Sequence, residues 1–246
     1  YQRGIPCAEG QKGSIVMNYL YLLIDGLTVA FPLILSFDKR VAFYKSWKFL
    51  FSAILGMMVF FIPWDIAFTN YEVWGFNKAY LSGVYLFNLP IEEVLFFFVV
   101  PYACLFIYSC VNSYMKKDWF ASTWRPICLI VSITLIGVGV WKYNLLYTSI
   151  TFTTTGTFVL FHVLNKTSWF SRFLMAYVIS LVPFVLVNGA LTGTWIENEI
   201  VHYNVDHILN IRIETIPIED IVYSMLMLGV TASFFEYFTK KSEKLR

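Results

Sequence analysis

The sequence predicts an all-α polytopic membrane protein of about seven transmembrane helices, built as two parallel three-helix repeats joined by one extra span. Three observations carry this reading. Of 246 residues, 58% are apolar, 20% aromatic and only 14% charged, with a mean hydropathy of +0.64; soluble domains carry about a quarter charged residues. Uncharged runs reach the ~20 residues that a bilayer span requires. A short acidic motif occurs twice in equivalent contexts, once at Glu92-Glu93 and again at Glu219-Asp220.

The spans fall at roughly 18–37, 49–69, 89–111, 126–142, 147–164, 173–193 and 216–238. The fourth is the shortest, and the fifth carries a threonine run and His162. Long apolar runs rather than alternating ten-residue strands argue against an outer-membrane barrel. The composition also excludes disorder, a collagen-like chain and a nucleic-acid binder. Cys7, Cys104, Cys110 and Cys128 form no C-x-x-C pair, so neither a disulfide scaffold nor a cysteine metal site is expected. Residues 1–16 are polar and aperiodic, lack the pattern of a signal peptide, and are expected to lie outside the fold.

Of the 18 basic residues, 13 cluster at one set of span ends: Lys39 to Lys48, Lys116 to Arg125, Lys166 and Arg172, and Lys240 to Arg246. The positive-inside rule then puts the C-terminus in the cytoplasm and the N-terminus outside; separately, the membrane is expected to be a bacterial cell membrane.

The repeat sets the organisation. Asn88-Leu89-Pro90-Ile91-Glu92-Glu93 returns as Thr215-Ile216-Pro217-Ile218-Glu219-Asp220, and Trp64-Asp65-Ile66-Ala67-Phe68-Thr69 as Val187-Asn188-Gly189-Ala190-Leu191-Thr192. Phe37-Asp38-Lys39 answers to Leu164-Asn165-Lys166, at the same spacing as the acidic motifs. The expected division is a leader (1–16), a first repeat (17–125), a linking helix (126–146) and a second repeat (147–240). Three helices plus one bring the chain back to its starting side, so the repeats are parallel about an axis along the membrane normal. Both acidic motifs, Asp65 and Asn188 must then reach the same face.

Glu92, Glu93, Glu219, Asp220 and Asp65 are the candidate catalytic residues. A carboxylate in the first turn of a helix also serves as a cap, but four at one depth exceed what two caps need, and acids near a membrane interior point to function. Neighbouring helical residues sit about 100° apart, so one acid per motif is expected to face the bundle; Glu92 and Glu219 are the favoured inward pair. Asp65 has the non-ionisable Asn188 as its counterpart, which suggests diverged roles. Asp25, inside the first span, reads equally as a buried structural hydrogen bond. Trp64, Tyr71, Trp74, Phe76, Tyr80, Tyr85 and Phe87 crowd one loop, either as an interfacial belt or as a cation-stabilising wall. His202 and His207 match no strong metal template, and no dinucleotide fingerprint is present.

Asp25, Phe31-Pro32-Leu33, Ser36-Phe37-Asp38-Lys39, Trp64-Asp65, Trp74-Gly75-Phe76 and the first acidic motif, followed by Leu186 to Thr194 and Arg212 to Asp220, together resemble the membrane-integral carotenoid (lycopene) cyclases of bacteria, archaea and fungi. The two halves, separate subunits in some lineages, look fused in this chain. The resemblance implies an intramolecular lyase or isomerase that converts lycopene through γ-carotene to β-carotene. It makes the paired acids the proton donors and acceptors, with Glu92 and Glu219 expected to share acid and base work and Glu93, Asp220 and Asp65 to orient or tune them; Trp64, Trp74, Asn88 and Asn188 are expected at the substrate. No cofactor is expected, a non-redox flavin staying open, and no metal. The expected partners are the carotenoid and membrane lipid, not nucleic acid; a homo-oligomer or contact with other carotenoid enzymes stays open. The alternatives are a cyclase for C50 carotenoids or for ε or γ rings, and a proton-coupled carrier, which would place its acids nearer the midplane.

Overall fold

The structure is a computed structural model that describes residues 17–244; the leader lies outside the described residues. Seven α-helices run through the described residues: α1 (Leu20–Leu35), α2 (Trp47–Asn70), α3 (Ile91–Tyr114), α4 (Trp124–Trp141), α5 (Leu146–Leu164), α6 (Phe170–Leu191) and α7 (Ile218–Lys244). Five of them, α2, α3, α4, α6 and α7, are long and apolar enough to cross a membrane. The 16-residue α1 is shorter than the expected first span and follows a 3-10 turn, Met17–Tyr19. The 19-residue α5 is diluted by threonines whose side chains turn inward: Thr148, Thr151 and Thr155 are buried.

Helix contacts repeat between the halves. α1 packs on α3 as α5 packs on α7, and α3 packs on α6 as α7 packs on α2. The extra helix α4 lies along α5. There two glycines let the backbones meet: a Cβ on Gly156 would stand 2.8 Å from the Ser132 carbonyl oxygen, and one on Gly139 would stand 3.0 Å from that of Ser149.

The loops after α2 and α6 are built alike. In the first, β1 (Trp74–Phe76) leads to a hairpin of β2 (Tyr85–Leu86) and β3 (Leu89–Pro90); in the second, β4 (Val201–Tyr203) leads to β5 (Arg212–Ile213) and β6 (Ile216–Pro217). Asn77 and Asn204 occupy equivalent positions in the two repeats, and each accepts a backbone N–H just downstream, from Ala79 and Asp206 respectively. Both hairpins turn through two residues, the first at positive φ: Phe87 at 57° and Glu214 at 54°.

β1 and β4 pair with each other in antiparallel register, Trp74 against Tyr203, Gly75 against His202 and Phe76 against Val201. Gly75 and His202 are themselves counterparts, separated by the same spacing as the acidic motifs. An antiparallel pair in which a residue faces its own counterpart has a two-fold axis through that point, so the pseudo-symmetry axis passes between these two residues. A Cβ on Gly75 would meet the His202 ring at 2.5 Å, which is why glycine suits this crossing. Under the ribbon lies an apolar layer of Phe68, Val73, Tyr80, Ile200 and Ile208, distinct from the main core between the helices.

Candidate active site

Each acidic motif begins just after a proline held in extended backbone, so Pro90 and Pro217 precede their helices rather than open them. The first helical N–H of each is taken by the loop: Ile91 N donates to the Val84 carbonyl and Ile218 N to that of Ile211. This fixes the rotation of α3 and α7, and with it the direction of both neighbouring carboxylates.

The first acid of each motif turns toward its own loop. Glu92 Oε1 accepts the Ser82 backbone N–H at 2.6 Å, and Glu219 Oε1 accepts that of Leu209 at 2.7 Å and the Thr148 hydroxyl at 2.6 Å. Ser82 and Leu209 are again counterparts in the repeat. The expected inward pair of Glu92 and Glu219 is therefore corrected. Both are fully buried loop anchors, each pairing a carboxylate oxygen with a backbone N–H of the loop upstream.

The second acids, Glu93 and Asp220, face inward. With Asp65 and Asn188 they line a cavity of about 60 Å³ beneath the β1–β4 ribbon. Its walls come in counterpart pairs: Asp65 and Asn188, Trp74 and Val201, Phe76 and Tyr203, Glu93 and Asp220, Phe96 and Tyr223, Phe97 and Ser224, Val100 and Met227. The cavity thus sits on the pseudo-two-fold axis, and the two halves build one site together.

Within it the halves differ. Asp220 accepts three donors: the Tyr147 hydroxyl at 2.7 Å, the Asn188 amide at 2.7 Å and the Tyr203 hydroxyl at 2.8 Å. Glu93 Oε2 accepts the Tyr21 hydroxyl at 2.6 Å. Asp65 Oδ1 accepts the Trp74 indole N–H at 2.6 Å, while its Oδ2 is buried without a partner. Convergent donors favour an ionised acceptor, so three bonds on Asp220, against one each on Asp65 and Glu93, favour its carboxylate form over theirs. In the ribbon, burial and the adjacent Asp220 push the Tyr203 hydroxyl well above the ordinary tyrosine range, so it stays a donor.

Aromatic rings close the rest. The Trp74 centroid lies 5.0 Å from that of Tyr147, and Tyr147 stacks on Tyr203 at 6.0 Å. Tyr223, whose buried hydroxyl has no partner, meets Trp64 and Phe61 edge-on at 5.6 and 5.4 Å. Of the four residues expected at the substrate, Trp74 and Asn188 line the cavity. Trp64 packs behind it against Tyr223, and Asn88 donates to the Ile66 carbonyl and to Asn70 instead. Tyr71, Tyr85 and Phe87 are exposed. Asp25 is buried on α1 with neither carboxylate oxygen bonded. Among the described residues no group of three His, Cys, Asp or Glu could hold a metal ion.

A family model described as Lycopene cyclase matches residues 18–111 and 144–238, one stretch in each repeat. The chain belongs to the lycopene cyclase family. Relatives of this cyclase-family chain include bifunctional lycopene cyclase/phytoene synthases from fungi. That of Leptosphaeria maculans is 29% identical over 90 residues, which is 33% of this chain and 16% of the relative. That of Phaeosphaeria nodorum is 27% identical over 88 residues (32% and 15%), and that of Aspergillus oryzae 26% over 97 residues (39% and 16%). The alignments span about one-sixth of the length of these curated relatives. No solved structure matches.

The site residues that sequence reasoning missed are the tyrosines Tyr21, Tyr147, Tyr203 and Tyr223 and the anchoring N–H groups of Ser82 and Leu209. The available signal was positional: each anchor stands the same distance upstream of the glutamate it binds, in both repeats.

Proposed function

We propose that this family member cyclises the ψ end groups of lycopene, through γ-carotene to β-carotene, by proton transfer in the axial cavity. The observation that carries the reading is the juxtaposition of Glu93 and Asp65 with the triply bonded Asp220 in one aromatic-lined space. Carboxylates crowded into a small apolar site cannot all ionise. With Asp220 ionised, Glu93 and Asp65 form the proton-bearing side.

In this mechanism a carboxyl O–H of the Glu93–Asp65 side gives its proton to C2 of the terminal C1=C2 bond, which leaves a cation at C1. The C5=C6 electron pair forms the C1–C6 bond and moves the cation to C5. Asp220 takes the proton from C6, whose C–H pair becomes the new C5=C6 bond of a β ring. One proton enters and one leaves, and no electrons are transferred. The faces of Trp74, Tyr147, Tyr203 and Tyr223 offset the positive charge while it lasts. The ribbon keeps water away from the cation. The basic span ends argue for a cytoplasmic C-terminus, which puts the acid end of the bundle at the opposite face of the membrane.

The test is purified protein in lipid, given lycopene in heavy water. The expected result is ringed product with one deuterium per ring at C2, because carboxyl protons exchange with solvent. Rings without deuterium, or no rings, contradict the proposal.

A further inference from the structure

An apolar groove of about 590 Å³ runs between α1, α3, α6 and α7. It shares Phe96, Val100, Phe184, Asn188 and Ser224 with the acid cavity, so it leads directly to the reacting groups. Small side chains keep its floor open: Ala103 and Cys104 on α3 and Ser180 on α6. On the outer side, Leu27 and Phe31 of α1 and Leu186 of α6 are exposed, so the groove faces the lipid.

The pseudo-symmetry calls for a second groove between α5, α7 and α2, and that space is filled. Val230 and Thr231 stand where the first half has Ala103 and Cys104, and Met57 stands where it has Ser180. Ile54, Met57 and Phe61 are buried to 0%, 0% and 2% exposure, and Phe61 packs edge-on against Tyr223. A Cβ on Gly56 would meet the Phe234 ring at 3.3 Å, so α2 lies close on α7.

Resting on the ring-closing reading above, we infer that the α1–α6 groove holds the linear polyene chain of the substrate, one end at the acids and the other in lipid, and that a single site with a single approach closes one ring per visit. A linear polyene is the occupant because the groove is apolar, open to lipid and continuous with the acids that need an alkene end. The second ring then requires the monocyclic product to leave and return end for end.

Two measurements test this with the full chain in lipid. Lycopene binding, followed by the shift of its visible absorption band in Glu93→Gln protein, should weaken at least tenfold when Ala103→Phe or the milder Ser180→Leu fills the groove. Val131→Phe, in a separate apolar groove between α4 and α6 that has no acid lining, should leave binding unchanged. At limiting enzyme, free monocyclic carotenoid should rise well above the enzyme concentration before bicyclic product appears, and added unlabelled monocycle should dilute the label in the bicycle. Binding unaffected in both filled variants at equal membrane abundance, or bicyclic product from the first turnover with no free monocycle, overturns the inference. Polyene binding that the filling variants abolish, in a protein that makes no rings, supports the groove and removes the ring-closing reading instead.

Discussion

The Asn188 side-chain amide donates to Asp220 at 2.7 Å, whereas Asp65, the residue that answers to Asn188 in the other repeat, takes its hydrogen bond from Trp74. One substitution between duplicated halves thus separates an acceptor that gathers donors from a carboxyl group with an unpartnered oxygen. On this account, Asn188→Leu removes one donor from Asp220 and leaves a less defined base. A hydrogen bond to a charged group contributes about 1.5–3 kcal/mol, so ring formation should fall by roughly ten- to a hundredfold. The fall should lie in kcat more than in KM, and steady-state kinetics on lycopene in lipid checks it.

Glu92 and Glu219 hold loops, and their roles are separable from chemistry. Glu92→Gln and Glu219→Gln keep an acceptor oxygen for the Ser82 and Leu209 N–H groups, so ring formation should stay within about threefold of wild type, well short of the 10²–10⁴ that acid–base groups supply. Glu92→Ala leaves the part-buried Ser82 N–H without its partner and should cost about 1–3 kcal/mol. Thermal unfolding in lipid reads the second effect and product formation the first.

Much of this architecture was legible because its signals are local. Seven apolar runs and a twice-written acidic motif need only neighbouring residues, and the parallel relation of the halves follows from counting spans. The phase of the acids was not legible. Glu92 and Glu93 are about 100° apart on a helix, and which one points inward depends on how the backbone N–H groups of Ile91 and Ser82 are taken up, both matters of loop closure. The tyrosines stayed hidden for another reason: among 16 tyrosines in an aromatic-rich chain, nothing in the sequence marks Tyr147 or Tyr203 as a donor to Asp220. The threonines of α5 read as weak hydropathy, whereas in the fold Thr148 and Thr155 bond to α7 through Glu219 and the Val222 carbonyl.

Tyr203 sets an alkaline limit on stability. Its folded-state value is raised above the usual 10.0, chiefly by burial and then by Asp220. The stabilisation from the neutral hydroxyl is therefore fully present below about pH 10 and is lost as pH rises through the folded-state value. The melting temperature should accordingly fall more steeply above about pH 10 than below it. Tyr203→Phe should lower it at neutral pH and flatten the alkaline fall. An unchanged alkaline slope in Tyr203→Phe contradicts this role.

The extra helix α4 depends on close backbone contact with α5. Gly156→Leu places a branched side chain where even a Cβ would meet the Ser132 carbonyl at 2.8 Å. Overpacking of this kind costs about 1–3 kcal/mol, so the variant should melt lower and expose α4 to protease. Gly137→Leu, where a Cβ meets nothing within 4 Å, should behave as wild type.

The central claim is that the second acid of each motif does the chemistry and the first holds the loop. Two double variants divide these roles: Glu93→Gln with Asp220→Asn, and Glu92→Gln with Glu219→Gln. The measurement is the initial rate of ring formation from lycopene by each protein, purified in lipid and compared at equal folded amount. The account predicts that the first pair loses at least about a hundredfold, the low end of acid–base catalysis, while the second pair retains most of the wild-type rate. A first pair that still cyclises lycopene at the wild-type rate, or a second pair that is fully folded yet inactive, contradicts it.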